Sequence, residues 1–396
     1  MLRTYFRHFS FAKRSLMKVH IFHITTILFI LAISSCKKSS PAKEENSETS
    51  TQPTADVKFS QVSTSEFNTM AIDSKNVLWA TGDNRGAVLG LGNKNKYINF
   101  VPVADGVKYV SISDSRSMII KSDNSVWTAG SNSFGELGIG NEMSNGSFIK
   151  AFTDAIQVES GSENGFIIKS DHTLWASGFN HYQIFNSSYS LADVINTFQK
   201  IADNVQQISV GQSHVLMLKT DGSLWVCGQN VDGQLGTGTN TAQYGFIKVM
   251  DGVKSIKACS YHSLVIKTDD SLWASGHNEY GELGLGSNVN QNRFAKIMDD
   301  VTAVAGGRFF SMAIKSDGSL WAAGYNNQTY GVTSADQNKF VKVADNVTSV
   351  AASEYHTLII KKDQTMWATG SNTYGEIGAG SERSIPIFSK VTVNVK

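Results

Sequence analysis

The spacing of its tryptophans limits how this chain can fold more than any other feature does. All seven, Trp79, Trp127, Trp175, Trp225, Trp273, Trp321 and Trp367, recur at intervals of 48, 48, 50, 48, 48 and 46 residues. Each sits in a similar context, such as "SLWASGHNEYGELGLG" (271–286) and "SVWTAGSNSFGELGIG" (125–140). A steady period near 48 residues means one supersecondary unit repeated in a stack or a ring.

The unit can be read strand by strand around Trp273. "VKSIKACS" (253–260) alternates apolar and polar residues as a half-buried strand does, and "HSLVIK" (262–267) is apolar enough to be buried on both faces. "TDDS" breaks the run, with "TDGS" and "SDGS" in the equivalent places of other units, and "SLWASG" follows as a third strand. Such turns join hairpins because they favour positive φ. "FAKIM" (294–298), parallel to "FIKVM" and "FVKVA", is a fourth strand. Four strands in each of seven units predict an all-β fold, a seven-bladed β-propeller over residues 57–396, whose closed ring protects its sheet edges. On this reading each tryptophan is an apolar wedge between neighbouring sheets, with roughly 3–5 kcal/mol lost on truncation. The glycine cluster shapes a tight loop. The stretch 57–72 is read as entering the unit at its second strand and 387–396 as a first-position strand. The C-terminal strand is therefore expected to complete the N-terminal blade and clasp the ring.

The pattern H-[ST]-L-x-[IL]-K, then W-x-x-G-x-N-x-x-G-[EQ]-[LI]-G-x-G, resembles the repeat of the regulator of chromosome condensation family. Unit three ("GFNHYQIFNSS") and unit six ("GYNNQTYGVTS") depart from it. The repeat histidine position reads Asn68, Arg116, Asn164, His214, His262, Phe310 and His356. That variability argues against a shared catalytic histidine and for packing. The family name implies guanine-nucleotide exchange. The layout is also similar to a secreted bacterial propeller of the same family that inhibits β-lactamases through one face, although the repeats here are longer and the target is not carried over.

Residues 1–56 differ from the rest, with 1–35 reading as a signal sequence. "MKVHIFHITTILFILAISSC" (17–36) has an early lysine, an apolar run from Ile24 to Ile33, and Ser34-Ser35-Cys36. This is the form of a secretory signal, with Met17 a candidate start. Ending on Cys36, it resembles a bacterial lipoprotein signal, so Cys36 is the expected lipidation site. The alternative is a transmembrane anchor, but the apolar run is shorter than the ~20 residues a span wants. Residues 36–56 then read as the lipidated cysteine and a disordered tether rich in Ser, Glu, Lys and Thr. Lys37 after the cysteine favours outer-membrane sorting.

The net charge of +1 and the absence of any Lys/Arg run longer than two residues speak against a nucleic-acid surface. Cys227 and Cys259 read as buried small residues rather than a disulfide. There is no H-E-x-x-H, C-x-x-C, G-x-S-x-G or phosphate-loop motif, so no catalytic residue, metal or cofactor is expected. Glu136, Glu282 and Glu376 recur in the glycine cluster and read as caps of their own loops.

Repeats expose function where they stop repeating. The turn before the second strand reads Glu66-Phe67, Asp114-Ser115, Ser162-Glu163, Gln212-Ser213, Ser260-Tyr261, Arg308-Phe309 and Glu354-Tyr355. Aromatics occupy four adjacent units across the ring closure, and the other three carry Ser or Glu. Phe67, Tyr261, Phe309 and Tyr355, rimmed by Arg308, Glu66 and Glu354, are thus the candidate partner-binding residues. The sequence supports a lipid-anchored, non-enzymatic scaffold of the bacterial cell envelope that binds a protein, peptide or glycan through one face. An exchange factor is the first rival, and the leader argues against it. A hydrolase or lyase in the central cavity is the second, to be revived by clustered acids facing the channel.

Overall fold

The computed structural model describes residues 57–185, 190–191, 193–332 and 335–393. The leader, Cys36 and the tether lie outside the described residues. Among the described residues, 28 strands, numbered β1 to β28 in chain order, form seven four-stranded antiparallel sheets. Blade one is β1 (Phe59–Thr64), β2 (Asn68–Asp73), β3 (Leu78–Gly82) and β4 (Tyr97–Ala104). Blades two to seven cover 107–152, 155–202, 205–250, 253–298, 301–344 and 347–390. The first strands line the centre, and β1 packs on both β5 (Val107–Ile112) and β25 (Val347–Ala352), so the sheets form a closed seven-bladed propeller.

The strand order follows from burial. Second strands lie between neighbouring blades and are buried on both faces: all six residues of β2 are buried. Outer strands such as β20 (Gln291–Met298) are half-buried, with Arg293 and Lys296 exposed.

The expected clasp is not formed. β1 is the first strand of its own complete blade, and β28 (Ile385–Lys390) is the fourth strand of blade seven. The sequence carried the reason: Phe388-Ser-Lys-Val aligns with Phe340-Val-Lys-Val, which is fourth-strand grammar. The ring closes instead with the joint used elsewhere, in which the glycine loop of one blade lies on the fourth strand of the next. Ala379 bridges to Asn99, as Leu285 bridges to Lys339 between blades five and six. Gly284 and Gly378 have positive φ, and a Cβ there would sit 2.3 and 2.4 Å from the rings of Phe340 and Phe100 respectively. Glycine is therefore needed for both backbone conformation and room. Past β28, Val391 and Val393 join Phe59 in the core shared by blades seven and one.

The tryptophans do pack between blades, Trp127 against the core shared by blades one and two. They are not all fully buried, however. Trp79 is 6% exposed, whereas the other six are half-buried. Their indole N–H groups explain this placement. Trp127, Trp175, Trp225, Trp273, Trp321 and Trp367 each donate to a Ser or Thr hydroxyl in the preceding turn, 2.8–2.9 Å away. That hydroxyl in turn donates to an aspartate, as Ser223 does to Asp221 at 2.6 Å. A lysine covers the indole in five of these blades, for example Lys361 at 4.1 Å from the Trp367 ring. In blade one Asp73 stands where the others have lysine and takes the Trp79 N–H directly, at 3.0 Å. An amphipathic ring with a satisfied polar end sits at the margin of a core.

The glycine loops are also pinned by the asparagine of the W-x-x-G-x-N pattern. In blade five Asn278 accepts from the Leu283 amide and donates to the carbonyls of Ser287 and Val289. The deviant loops keep this device: Asn180 accepts from Phe185 in blade three, and Asn326 donates to Val332 in blade six. There Phe185 and Tyr330 take over the buried leucine position.

Candidate functional site

The first strands run toward one face of the propeller and end there in the turns to the second strands. Their side chains enclose a central cavity of about 500 Å³. Glutamine amides tie adjacent first strands together: Gln61, Gln157 and Gln207 donate to the carbonyls of Val110, Ile208 and Ile256 in the next blade, at 3.2, 3.0 and 3.0 Å. At the mouth, one equivalent residue per blade projects from the turn: Glu66, Asp114, Ser162, Gln212, Ser260, Arg308 and Glu354. Deeper in, one further position carries Glu159 from blade three and Lys257 from blade five, where other blades have Ser or Ala.

The mouth is electrostatically uneven. Arg308 pairs with Glu354 at 2.5 Å and lies 5.0 Å from the Phe309 ring centre and 5.5 Å from that of Tyr261. Asp114 Oδ1 accepts from the Glu66 backbone N–H at 2.7 Å. The Glu66 carboxyl is pushed up to about 7, by burial first and then by Asp114 and Glu354, against the opposing pull of Arg308. Burial also raises Asp114, with the Glu66 amide opposing it. Inside the cavity burial raises Glu159, opposed first by the charge of Lys257.

All seven candidate partner-binding residues are half-buried on this face. Among the described residues the four aromatics are not linked to one another by ring contacts all the way round. Tyr261 stacks on Phe309 with centroids 5.8 Å apart, whereas Phe67 packs edge-on against Tyr374 at 4.8 Å. The organising rule is a contact between blades that the turn alone does not reveal. The aromatic in one blade's glycine loop meets the turn aromatic of the next: Tyr280 with Phe309 at 4.9 Å, Tyr374 with Phe67. Blade six has Gln328 at that loop position, so Tyr355 lacks such a ring. The result is a cluster on blades five and six, Tyr261, His277, Tyr280, Phe309 and Tyr325, with Arg308 over it. Tyr280, Tyr325 and His277 were missed in the sequence, although the loop aromatic recurs as Phe134, Tyr182, Tyr280 and Tyr374.

The other candidates have structural places. His214 and His262 bond the hydroxyls of Ser263 and Ser311, and His356 bonds that of Thr69, each on the following blade, at 2.9, 2.8 and 3.0 Å. Glu136, Glu282 and Glu376 accept from the loop amides of Phe134, Tyr280 and Tyr374. Their other oxygens meet Arg116, His277 and Ser371. Burial works against charge on His277, but the bond to Glu282, with Glu282, Asp232 and Glu279 charges, carries its pKa above the ordinary value. Cys227 and Cys259 are buried free thiols.

Fold and mouth together define a repeat propeller with one differentiated face. Family models described as "Regulator of chromosome condensation (RCC1) repeat" match residues 205–234, 269–314, 301–331 and 347–376. The chain carries RCC1 repeats. Its fold is similar to human WBSCR16, with 17% identity, TM-score 0.71, and 80% of this chain and 93% of that one covered. It is also similar to yeast RCC1 (Prp20) in the crystal structure with Kap60 bound, with 16% identity, TM-score 0.69, and 92% and 91% covered. A third similar structure is Prp20p from Saccharomyces cerevisiae, reported with its binding properties to Gsp1p and histones, with 17% identity, TM-score 0.68, and 82% and 87% covered. No curated protein matches the chain.

Proposed function

We propose that this chain is a lipid-anchored, non-enzymatic binding scaffold of the bacterial cell envelope. It recognises a protein, peptide or glycan partner through the cavity-mouth face. The observation that carries the binding reading is the half-exposed cluster of Tyr261, Tyr280, Phe309 and Tyr325 under Arg308. Blades elsewhere in the ring fold without aromatic residues at the equivalent turn, so packing alone does not require them. Tyr and Phe supply large contact area at low entropic cost, which suits interface anchors. The anchoring reading rests on the apolar run ending at Cys36. Nucleotide exchange fits a leader of that kind poorly. A second reading is a hydrolase or lyase in the central cavity. It is favoured by the carboxylates of Glu66, Asp114, Glu159 and Glu354 facing the channel, two of them beside a group titrating near neutrality.

The test compares affinity capture from envelope extract by the tagged full-length protein and by its Tyr280→Ala/Phe309→Ala variant. The expected result is a partner held by the parent and by a Ser115→Ala/Ser213→Ala control but lost from the aromatic variant, with its melting temperature retained. Equal capture by all three sinks the binding-face reading. Mass spectrometry of the mature N-terminus should show an acylated Cys36, and a retained 17–35 segment would refute the anchor. Turnover of envelope glycans or peptides that disappears in Glu66→Gln would establish the enzymatic reading instead.

A further inference from the structure

We propose that the mouth of the cavity receives a cationic side chain, the guanidinium of an arginine or the ammonium of a lysine, presented by a peptide segment of the partner and held between Glu66, Asp114 and Glu354. The inference rests on reading this face as the binding face, and it names the chemistry recognised there.

Charge balance comes first. Four carboxylates line the cavity, Glu66, Asp114, Glu159 and Glu354, against two cations, Lys257 and Arg308. Arg308 is committed to Glu354 and to the rings of Tyr261 and Phe309. The three acids at the mouth come from blades seven, one and two, which are consecutive across the ring closure. They therefore form one acidic sector beside the aromatic sector of blades five and six. One oxygen of Asp114 is compensated by the Glu66 amide. Among the described residues the Glu66 carboxylate itself has no hydrogen-bond or ion-pair partner.

The neighbouring hydroxyl is an independent pointer. Ser65 lines the cavity, is 6% exposed, and its Oγ has no partner. The corresponding hydroxyls of blades two and seven are satisfied, Ser113 by Ser160 and Ser353 by His356. A buried polar atom without a partner costs free energy unless a ligand completes it. Ser65 and Glu66, consecutive residues of the cavity lining, thus each keep capacity to accept N–H bonds.

Spacing decides the kind of cation. Among the described residues no three His, Cys, Asp or Glu side chains lie close enough to hold a metal ion. Separated carboxylates suit an organic cation whose several N–H donors fan outward. Phe67 and Tyr355, flanking the acids, add aromatic faces of the kind that attract such cations. Burial first, and then the charges of Asp114 and Glu354 against that of Arg308, raise the Glu66 carboxyl, so it gains from a positive charge brought beside it. An incoming cation favours its ionised form, so binding should weaken as pH falls from about 8 to about 6.

The test uses the full-length protein and isothermal titration with acetyl-Gly-Gly-Arg-Gly-Gly-amide, the same peptide with Gln for Arg, and free arginine. The arginine peptide should bind and the glutamine peptide should not. Glu66→Gln, which preserves shape, should weaken the arginine peptide about tenfold or more, the loss of one charge-assisted bond, while Ser162→Ala leaves it unchanged. Indistinguishable Arg and Gln peptides, or an unaffected Glu66→Gln variant with unaltered melting, overturn the proposal. Free arginine binding as tightly as the peptide overturns the peptide source. These outcomes are separable from failure of the binding face, because loss of partner capture on removal of Tyr280 and Phe309 is read without any cationic probe.

Discussion

The two faces of this propeller are built by the same repeats, yet they have diverged very differently. On the face of the second-to-third-strand turns, six of seven blades share one hydrogen-bonded chain from indole to Ser or Thr hydroxyl, and the acceptor aspartate recurs with it. On the cavity-mouth face the equivalent residues are Glu, Asp, Ser, Gln, Ser, Arg and Glu. Each blade needs its own turn closed, so the first face repeats. No such local requirement acts at the mouth, where the side chains point into shared space and only the sum of seven choices matters. The mouth is where a ring of near-identical units acquires a direction.

The largest effect expected from testing that comparison lies on the repetitive face. Trp79→Ala should cost about 3–5 kcal/mol, the range for a buried aromatic. Trp273→Ala, from a half-buried ring, should cost less, roughly 1–3 kcal/mol, because less apolar area returns to water. Urea denaturation of the two variants checks this, and equal losses would mean that the exposed edge of the indole is as important as its buried part.

Next in size is a pH effect that separates the interior from the mouth. Burial pushes His214 down to about 4, and His262 and His356 down to about 3. The unfolded chain takes up these protons near pH 6.5 and the native protein does not. Stability should therefore fall as pH drops from about 6.5 toward 4, by about 1.4 kcal/mol per pH unit for each histidine. His262→Phe, copying Phe310 of the next blade, should remove one histidine's share of that slope in urea titrations at several pH values. Glu66 acts with the opposite sign. Its raised pKa means the native protein binds the proton first, so this group favours the fold below about 7, and Glu66→Gln should steepen the acid-side decline. A parallel pH profile in either variant would contradict these assignments.

The smallest effect should come from Tyr355→Ala. The ring is half-buried and has no stacking partner among the described residues, so the change in unfolding free energy should stay within about 0.5–1 kcal/mol. A larger loss by thermal melting would move Tyr355 from the proposed binding face into the framework.

Much of this architecture was legible in the residues alone. The tryptophan period, the Asp-x-Ser turns and the doubly apolar second strands specify blade number and strand grammar, because each is a local rule obeyed within one unit. Histidine packing and glutamate capping were also readable, since their variation or recurrence is visible along the chain. What the tertiary structure alone decided are the contacts between units. The place of the last strand is the exception, since Phe388-Ser-Lys-Val repeats the fourth-strand Phe340-Val-Lys-Val, although the stretch 387–396 taken alone reads as a first strand. The aromatic cluster was half-seen because Tyr280 and Phe309 are 29 positions apart and meet only when one blade's loop is laid on the next. The acidic sector joins Glu354 to Glu66 and Asp114, from opposite ends of the chain. A sequence lists these residues in order, but only closing the ring brings Glu354 close enough to add to burial in raising the carboxyls of Glu66 and Asp114.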